Sequence, residues 1–189
     1  NAAIAPDLVK KISQKAHLLS IDSMRMTTAA GSGHPTSCLS CAELMAGTFF
    51  YAMKWDPKNP DAPTNDRFVM SKGHAAPILY AALAEAGVFP VGRLLTLRQF
   101  SSELEGHPTP RIPGVDAATG SLGQGLSAAA GFALADRLRN IDRRTFAMLS
   151  DGELEEGQVW EAAMFAGHQA VHSPIEPDPK YKDPFMTRS

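Results

Sequence analysis

The chain has 189 residues, a length typical of one domain or of one domain with a small appendage. Its hydrophobic fraction of 44% and mean hydropathy of -0.15 are ordinary for a protein that buries a core. A formal net charge of -2 gives no basic face for nucleic acid, and no apolar run reaches the roughly 18 residues that a membrane span needs. We therefore expect neither nucleic acid nor a membrane as a partner. Without an export signal in the first residues, we expect a cytoplasmic location.

Small and apolar residues recur at three- and four-residue steps near the start of the chain, which predicts a helix that ends before Gly31 and Gly33. The residues on its apolar face are Leu8, Ile12, Ala16, Leu19, Ser23 and Met26. Ser40 and Glu43 then have the spacing of a capping box, in which each side chain bonds the backbone N–H of the other residue. This pair predicts the start of a second helix.

Cys38 and Cys41 are the two cysteines of the chain, spaced as C-x-x-C. This spacing occurs in redox motifs and in zinc sites. A structural zinc site needs four ligands, and here no second cysteine pair exists, while His34 would supply only a third ligand. We therefore interpret the two cysteines as small buried residues on a helix.

Short apolar runs alternate with helical patterns in the rest of the chain. This alternation predicts an α/β fold: a mostly parallel sheet with helices on both faces. The predicted elements are a buried strand at residues 68–70, an alanine-rich helix ending near Gly87, a helix at residues 124–138, a buried strand at residues 145–149 and a helix at residues 153–168.

The carboxyl-terminal stretch differs in composition from everything before it. Four prolines lie within residues 174–184, and few apolar side chains accompany them. Such a segment fits neither a central strand nor a helix. We therefore predict one domain over residues 1–168 and a proline-rich tail over residues 169–189.

The strongest local motif, Leu149-Ser150-Asp151-Gly152-Glu153, directly follows the second predicted strand. Ligands of open α/β sheets bind beyond the carboxyl ends of the strands, where helix N-termini also point. There a carboxylate such as Asp151 can hold Mg²⁺ together with ligand phosphates, and Gly152 lets a phosphate approach the backbone. The helix predicted to begin near Glu153 would add N–H groups. The alternative is a plain Asp-Gly turn.

A glycine-rich segment, Gly120-Ser121-Leu122-Gly123-Gln124-Gly125, precedes the helix predicted at residues 124–138. Its spacing matches neither the dinucleotide-binding nor the P-loop pattern. The glycines nonetheless allow the main chain to press against a flat ligand, with Leu122 as an apolar contact. A flexible connector is the alternative.

Three of the six histidines follow a glycine in segments predicted to be loops: His34, His74 and His107. Histidines in such loops are presented to a cavity or to solvent, where imidazole can bind phosphate or sugar hydroxyls and move protons near neutral pH. Lys72, close to one of them, adds a cation suited to a phosphate. A single case would more often be a surface histidine, but three in the same setting favour a site.

Together, five stretches resemble the N-terminal half of transketolases, which use thiamine diphosphate. The resemblance spans residues 8–168 in the family's order, and it distinguishes the chain from deoxyxylulose-phosphate synthases and keto-acid dehydrogenases. The matching stretches are TAAGSGHPTS at 28–37, NDRFVMSKGHAAPILY at 65–80, GHPTP at 106–110, TGSLGQGLSA at 119–128 and DGELEEGQVWEA at 151–162.

The resemblance implies a thiamine-diphosphate-binding fold and a role for each matching residue. His34 and His107 would contact the sugar substrate and move protons during carbon–carbon cleavage, and Glu156 would lie at a dimer centre that links two active sites. Asp151 would bind Mg²⁺ or Ca²⁺. The residues that would bind or border the cofactor are Lys72, His74, Gly120, Ser121, Leu122, Asp151 and Gly152.

The chain departs from the family pattern at two places. Ser150 stands where many members have glycine, a mild change because Asp151 and Gly152 are kept. After His168 the family continues with a buried strand and an asparagine that completes the metal site, whereas residues 169–189 contain no asparagine. Either the natural chain is truncated or altered here, or the sequence omits residues of it. We favour omission, because the composition breaks directly after a good helix.

The family's cofactor-activating glutamate lies in a second, pyrimidine-binding domain without a counterpart here. The resemblance therefore implies the N-terminal subunit of a split transketolase of the pentose phosphate pathway, which transfers a two-carbon ketol unit between phosphorylated sugars. Its partner would be a C-terminal subunit, in a dimer or heterotetramer.

Two other functions remain open at this point. A truncated, non-catalytic relative that binds diphosphates or acts as an interaction module would explain the incomplete metal site. A histidine-dependent metal hydrolase would need convergent histidine and carboxylate ligands, and no His-x-x-x-His pair occurs.

Overall fold

The first half of the fold is helical. The structure, a computed structural model, describes residues 6–169. As predicted, the first helix ends before Gly31, which adopts a left-handed φ of 59° that glycine tolerates. The helical elements of this half are α1 (Pro6–Ala30), α2 (Pro35–Leu39), α3 (Ala42–Gly47) and a π-helical turn (Thr48–Ala52).

The second half alternates strands and helices, as the sequence predicts. The alanine-rich helix ends at Ala86, and the next residue, Gly87, has a φ of 96° and bonds back to the last turn of the helix. The elements are β1 (Arg67–Met70), a 3₁₀ turn (Gly73–Ala75), α4 (Ala76–Ala86), a second 3₁₀ turn (Val91–Thr96), α5 (Gln124–Leu138), β2 (Thr145–Met148), a third 3₁₀ turn (Gly152–Glu155) and α6 (Gly157–His168).

The two strands pair in parallel along their whole length. Phe68 and Met70 point into the main hydrophobic core, which α1, α3 and α4 also line. Arg67 lies on the opposite face, where its guanidinium carbon is 4.7 Å from the centre of the Phe132 ring of α5. Because side chains alternate along a strand, the sheet has helices on both faces. The predicted α/β fold with parallel strands is confirmed.

The main core lies between α1, α3, α4 and one face of β1. Two edge-to-face ring pairs extend it, with the Phe49 ring centre 4.9 Å from that of Phe68 and 5.4 Å from that of Trp55. α4 is buried along almost its whole length, which explains its alanine-rich and uniformly apolar composition. Fully buried core side chains include Leu19, Met26, Met45, Ile78, Tyr80 and Leu83.

Asp66 connects the amino ends of both strands. Its carboxylate accepts hydrogen bonds from the backbone N–H groups of Lys54 and Arg144, each at 2.8 Å, and forms an ion pair with the Arg144 guanidinium. Asp66 directly precedes β1 and Arg144 directly precedes β2. A buried carboxylate whose partners include a cation and backbone donors therefore sets where the two strands begin.

The predicted capping box at Ser40 and Glu43 is wrong. Cys41 is the residue before α3, and no side chain caps that helix. Ser40 still has the helical backbone angles of the end of α2, so its hydroxyl donates back to the carbonyl oxygen of Ser37 at 3.1 Å. The hydroxyl is therefore oriented towards the preceding helix and not towards the following one.

The helix predicted to begin near Glu153 begins four residues later. The chain forms a 3₁₀ turn over Gly152–Glu155, and Glu156 then adopts an extended ψ of 122° before α6 starts at Gly157. The helix N-terminus expected beside Asp151 is therefore that of a short 3₁₀ turn. Bonds made by the Glu153 side chain, described below, account for the interruption.

β2 was predicted to be buried, and this is wrong for the described residues. All four of its residues are half-buried, whereas Phe68, Val69 and Met70 of β1 are buried. Within residues 6–169, β1 is the one strand beside β2, so the other edge of β2 lacks a neighbour. The predicted tail at 169–189 lies outside the described residues from residue 170 onward.

The cysteines are buried, as predicted. Cys38 lies in α2 and Cys41 directly precedes α3, and both are free thiols. Burial raises the pKa of Cys38 to about 11, so the nucleophilic thiolate is scarce at neutral pH. None of the helices within residues 6–169 combines the length and apolar composition that a bilayer crossing requires.

Two glycines of α5 provide a matched test of this packing. A Cβ atom at Gly125 would lie 2.4 Å from the Ser71 hydroxyl oxygen, whereas one at Gly131 would meet nothing within 4 Å. We expect Gly125→Ala to lower the free energy of unfolding by about 1–3 kcal/mol through overpacking. We expect Gly131→Ala to raise it by about 0.5–1 kcal/mol, because alanine favours a helix. Urea unfolding measures both, and equal effects would contradict the close approach at Gly125.

Candidate functional site

The carboxyl ends of β1 and β2 bring two polar segments side by side. Residues 71–74 follow β1 and residues 150–152 follow β2. The backbone N–H groups of Ser71 and Lys72 both donate to the Met148 carbonyl oxygen, at 2.9 and 3.3 Å. This is the edge at which open α/β sheets bind their ligands. The structure thus brings the predicted residues of both segments to one place.

His34 and His74 form an edge-to-face pair at this edge, with ring centres 5.2 Å apart. The hydroxyl oxygen of Ser37 lies 3.1 Å from Nε2 of His74. Burial lowers the pKa of His74 below its ordinary value of 6.5, and the nearby His34 and Lys72 lower it further. His74 is therefore uncharged at neutral pH, with one ring nitrogen able to donate a hydrogen bond and the other able to accept one.

Lys72 is a buried cation whose partners are uncharged groups. Its Nζ donates to the Ser37 carbonyl oxygen at 2.9 Å and to the Ser40 hydroxyl at 3.4 Å. Within residues 6–169, no carboxylate lies close enough to form an ion pair with it. A buried lysine whose charge has no carboxylate partner is suited to an added anion. Its predicted role beside a diphosphate stays a prediction.

His107 faces the glycine-rich segment across a close contact. A Cβ atom at Gly120 would lie 2.8 Å from Cδ2 of the His107 ring, and Gly120 has a φ of 146°. Glycine is therefore required there on both counts. The Tyr80 hydroxyl donates to the His107 carbonyl oxygen at 3.1 Å and positions the loop. Beside His107 opens a cavity of about 530 Å³ that Arg98 and Arg111 also line.

Residues 119–125, here called the glycine loop, are packed against their surroundings. The Thr119 hydroxyl donates to the Met70 carbonyl oxygen at 2.6 Å. The Gln158 side chain of α6 donates to the Leu122 carbonyl oxygen at 2.6 Å, and a Cβ atom at Gly123 would lie 2.6 Å from Gln158. These contacts hold the backbone of the glycine loop against β1 and α6.

Glu153 joins three segments of the site. The side chain is fully buried. Its Oε1 accepts hydrogen bonds from the Ser71 hydroxyl at 2.6 Å and from the Gly123 N–H at 2.7 Å, and its Oε2 accepts one from the Ser150 N–H at 3.3 Å. The Glu153 N–H donates in return to the Ser150 hydroxyl oxygen at 3.2 Å. One carboxylate thus connects the residues after β1, the glycine loop and the residues after β2.

Asp151 and Gly152 lie on the exposed side of the same edge. The Asp151 carboxylate makes no hydrogen bond or ion pair with the residues that the structure describes, and a Cβ atom at Gly152 would meet nothing within 4 Å. Residues 6–169 contain no group of three or more His, Cys, Asp or Glu side chains placed to share a metal ion. A cation here would need Asp151 together with oxygens of a bound ligand.

Glu156 lies between the turn that bears Gly152 and the start of α6. It is the exposed residue directly before α6, and its side chain makes no cap hydrogen bond. Its predicted position at a dimer centre requires a second protomer and stays a prediction. Ser121 is exposed and Leu122 is half-buried, so both remain accessible on the glycine loop.

Sequence reasoning missed three polar residues of this site: Ser37, Ser71 and Glu153. All three lie inside stretches that carry the family resemblance or directly beside a motif. Ser71 directly follows β1, and its position beyond a strand end was a usable signal. Glu153 stands in an acidic run whose neighbours are exposed, so its burial had no local signal.

The lowered pKa of His74 makes stability depend on pH. Below pH 6.5 the unfolded chain binds more protons than the folded one, so stability is lost as the pH falls from 6.5 through the folded-state pKa of His74. We expect NMR to show a His74 titration midpoint below 6.5, and we expect His74→Gln to reduce the loss of stability between about pH 7 and about pH 5. His17→Gln, which removes an exposed histidine of α1, should leave the His74 titration unchanged. A midpoint at or above 6.5 would contradict this.

Comparison with known proteins gives a consistent result. Residues 9–175 match the family described as "Transketolase, thiamine diphosphate binding domain". The transketolase of Mus musculus is 54% identical over 160 residues, which are 84% of this chain and 26% of the mouse protein. The "6-deoxy-6-sulfo-D-fructose transketolase subunit SqwG" of Clostridium sp. (strain MSTE9) is 49% identical over 138 residues, which are 72% of this chain and 50% of that subunit.

Solved structures are similar over the same region. The transketolase from Campylobacter jejuni subsp. jejuni NCTC 11168 superposes with a TM-score of 0.80 at 35% identity, over 85% of this chain and 26% of that one. The transketolase from Leishmania mexicana gives a TM-score of 0.80 at 34% identity. This chain therefore spans 26% of the length of these full transketolases. It belongs to the transketolase family, and residues 9–175 correspond to the thiamine-diphosphate-binding domain of that family.

Proposed function

We propose that this chain is the cofactor-binding part of a transketolase that transfers a two-carbon ketol unit between phosphorylated sugars. The observation that carries the proposal is the meeting of Asp151, Gly152, His74 and the glycine loop at the carboxyl ends of β1 and β2. Family membership supports thiamine diphosphate as the cofactor. The predicted roles of the individual residues belong to this proposal.

The residues at this edge fit a diphosphate with a divalent cation. Asp151 offers a carboxylate without a partner among residues 6–169, and Gly152 borders open space in which a phosphate can approach the backbone. Lys72 and the neutral His74 add donors from the segment after β1. Magnesium in proteins usually takes one or two carboxylates and completes its shell with phosphate oxygens and water. One free aspartate therefore suits Mg²⁺, and Ca²⁺ is the alternative.

Once bound, thiamine diphosphate supplies the electron sink for cleavage of a carbon–carbon bond. The residues of this chain bind and orient the sugar and move protons. His34 and His107 are exposed beside His74 and the glycine loop, and their imidazoles can bind sugar hydroxyls and accept or donate protons. The Ser37 hydroxyl bonds His74 and holds its ring in place.

The cavity beside His107 supports a phosphorylated substrate. Its two arginines carry planar guanidinium groups, which suit phosphate oxygens. Arg98 is held by a 2.7 Å hydrogen bond to the Ser32 hydroxyl, and Arg111 by a 3.0 Å ion pair with Glu105. We therefore expect the phosphate end of the sugar on this side of the site.

The relatives support a partner for this chain. The mouse transketolase is much longer than the region matched here, and SqwG is named as a subunit. We propose that a C-terminal subunit or domain with the pyrimidine-binding fold completes the active site, in a dimer or heterotetramer. Glu156 would lie at the dimer centre. The pentose phosphate pathway and a cytoplasmic location belong to the same proposal. Exposed apolar side chains suited to such contacts are Leu154, Trp160, Met164 and Phe165.

Asp151 is the residue whose replacement tests the proposal most directly. We expect Asp151→Ala to weaken thiamine diphosphate binding in the presence of Mg²⁺ by about 10- to 100-fold, because the cation loses its one carboxylate ligand from this edge. Isothermal titration calorimetry with the pyrimidine-binding partner present measures the affinity.

Glu155→Ala is the matched control, because it removes a nearby exposed carboxylate that makes no contact with the site. We expect wild-type affinity from this variant. Unchanged affinity in Asp151→Ala would contradict the metal site. If the wild-type pair binds the cofactor but transfers no two-carbon unit from a ketose phosphate to an aldose phosphate, the non-catalytic alternative holds.

A further inference from the structure

A buried carboxylate accepts hydrogen bonds at each end of the strand pair. Asp66 accepts backbone hydrogen bonds at the amino ends of β1 and β2, and Glu153 does so at the carboxyl ends. The two carboxylates differ in their partners. Asp66 has the guanidinium of Arg144, whereas Glu153 has no cation within ion-pair distance among residues 6–169. Hydrogen-bond donors alone therefore compensate the burial of Glu153.

The donors to Glu153 all belong to segments that carry site residues. Ser71 precedes Lys72 and His74, Gly123 belongs to the glycine loop, and Ser150 precedes Asp151. Asp66 instead bonds Lys54 and Arg144, which lie at the opposite end of the strands and contact no predicted site residue. Both carboxylates are thus buried, but only Glu153 bonds segments that carry predicted site residues.

We propose that Glu153 is a positioning residue for the thiamine diphosphate and metal site. Its carboxylate holds the turn that bears Asp151 and Gly152 at a set distance from the glycine loop and from the segment that bears His74. The inference rests on the proposed function, because it assigns Glu153 to the same cofactor. This role differs from a contribution to folding stability, because Glu153 would change the affinity for the cofactor through the three segments that it joins.

The charge and shape of Glu153 can be separated by Glu153→Gln. The glutamine has the same size, and its one amide oxygen can still accept from Ser71 and Gly123. Its amide nitrogen would then face the Ser150 N–H, so two donors would meet and the bond to that turn would be lost. The variant therefore loosens the turn over residues 150–153, which bears Asp151, while the bonds of residue 153 to Ser71 and Gly123 and the buried volume are kept.

The experiment uses the full chain together with its pyrimidine-binding partner, and it compares Glu153→Gln with Asp66→Asn. Urea unfolding without cofactor measures stability, and calorimetry with saturating Mg²⁺ measures the dissociation constant of thiamine diphosphate. We expect both variants to lower the urea midpoint. Only Glu153→Gln should raise the dissociation constant, by about 10- to 100-fold, as replacement of outer partners of metal ligands does. The KM for the sugar at saturating cofactor should change little.

A second pair of variants tests the same inference if Glu153→Gln does not fold. Ser71→Ala removes the donor of the 2.6 Å bond to Glu153, and Asp136→Asn replaces a buried carboxylate that pairs with Arg143 at the far end of α5. Weaker cofactor binding in Ser71→Ala alone would support the inference. Unchanged binding in Ser71→Ala, or equal dissociation constants for Glu153→Gln and Asp66→Asn, would overturn it. A wild-type pair that fails to bind thiamine diphosphate would instead overturn the proposed function.

Discussion

Parallel pairing of β1 and β2 is the constraint on which the site depends. The pairing brings residues 71–74 and 150–152 to one edge, although they are far apart in the chain. Backbone pairing alone would leave these segments free to move beyond the last strand residue. Buried carboxylates remove that freedom, with Asp66 at the amino ends and Glu153 at the carboxyl ends. The location of the site therefore follows from a short sheet and two acidic side chains.

Close backbone contacts give the site its shape before any ligand is bound. A Cβ atom at Gly73 would lie 2.6 Å from the backbone nitrogen of Gly120, and one at Gly125 would lie 2.5 Å from the Cα of Ser71. The segment after β1 and the glycine loop thus touch through main chain where larger residues would separate them. A preformed site of this kind lowers the entropy lost on ligand binding.

The charged groups at this edge suit an anionic ligand that is accompanied by a divalent cation. Lys72 is buried with neutral oxygens as partners, and His74 stays uncharged because burial and neighbouring cations disfavour its protonated form. Asp151 is an exposed carboxylate at the same edge. Donors together with a free carboxylate suit a phosphate group bound with a divalent cation, which neutralises the charge between Asp151 and the phosphate.

Patterns within short windows predicted the elements well. The helix over Gln124–Leu138, the two strands and the helix end at Gly87 were all visible in the sequence, because periodicity and glycine placement act locally. The stretches of the family resemblance likewise named His34, His74, His107 and Asp151 without a structure. Local pattern failed where a side chain had two possible partners, as at Ser40, whose hydroxyl bonds the preceding helix.

The amino-acid sequence by itself determined the fold class, the family and the residue types available to a diphosphate site, since these follow from periodicity and from matched motifs. Tertiary structure decided the rest. Ser71 and Glu153 are 82 positions apart, so their hydrogen bond, the burial of Glu153 and the uncharged state of His74 exist only after the strands pair. The half-exposure of β2 likewise depends on which strands flank it. The burial of a side chain and its hydrogen-bond partners depend on contacts between segments that are distant in the chain, so a short stretch of sequence does not reveal them.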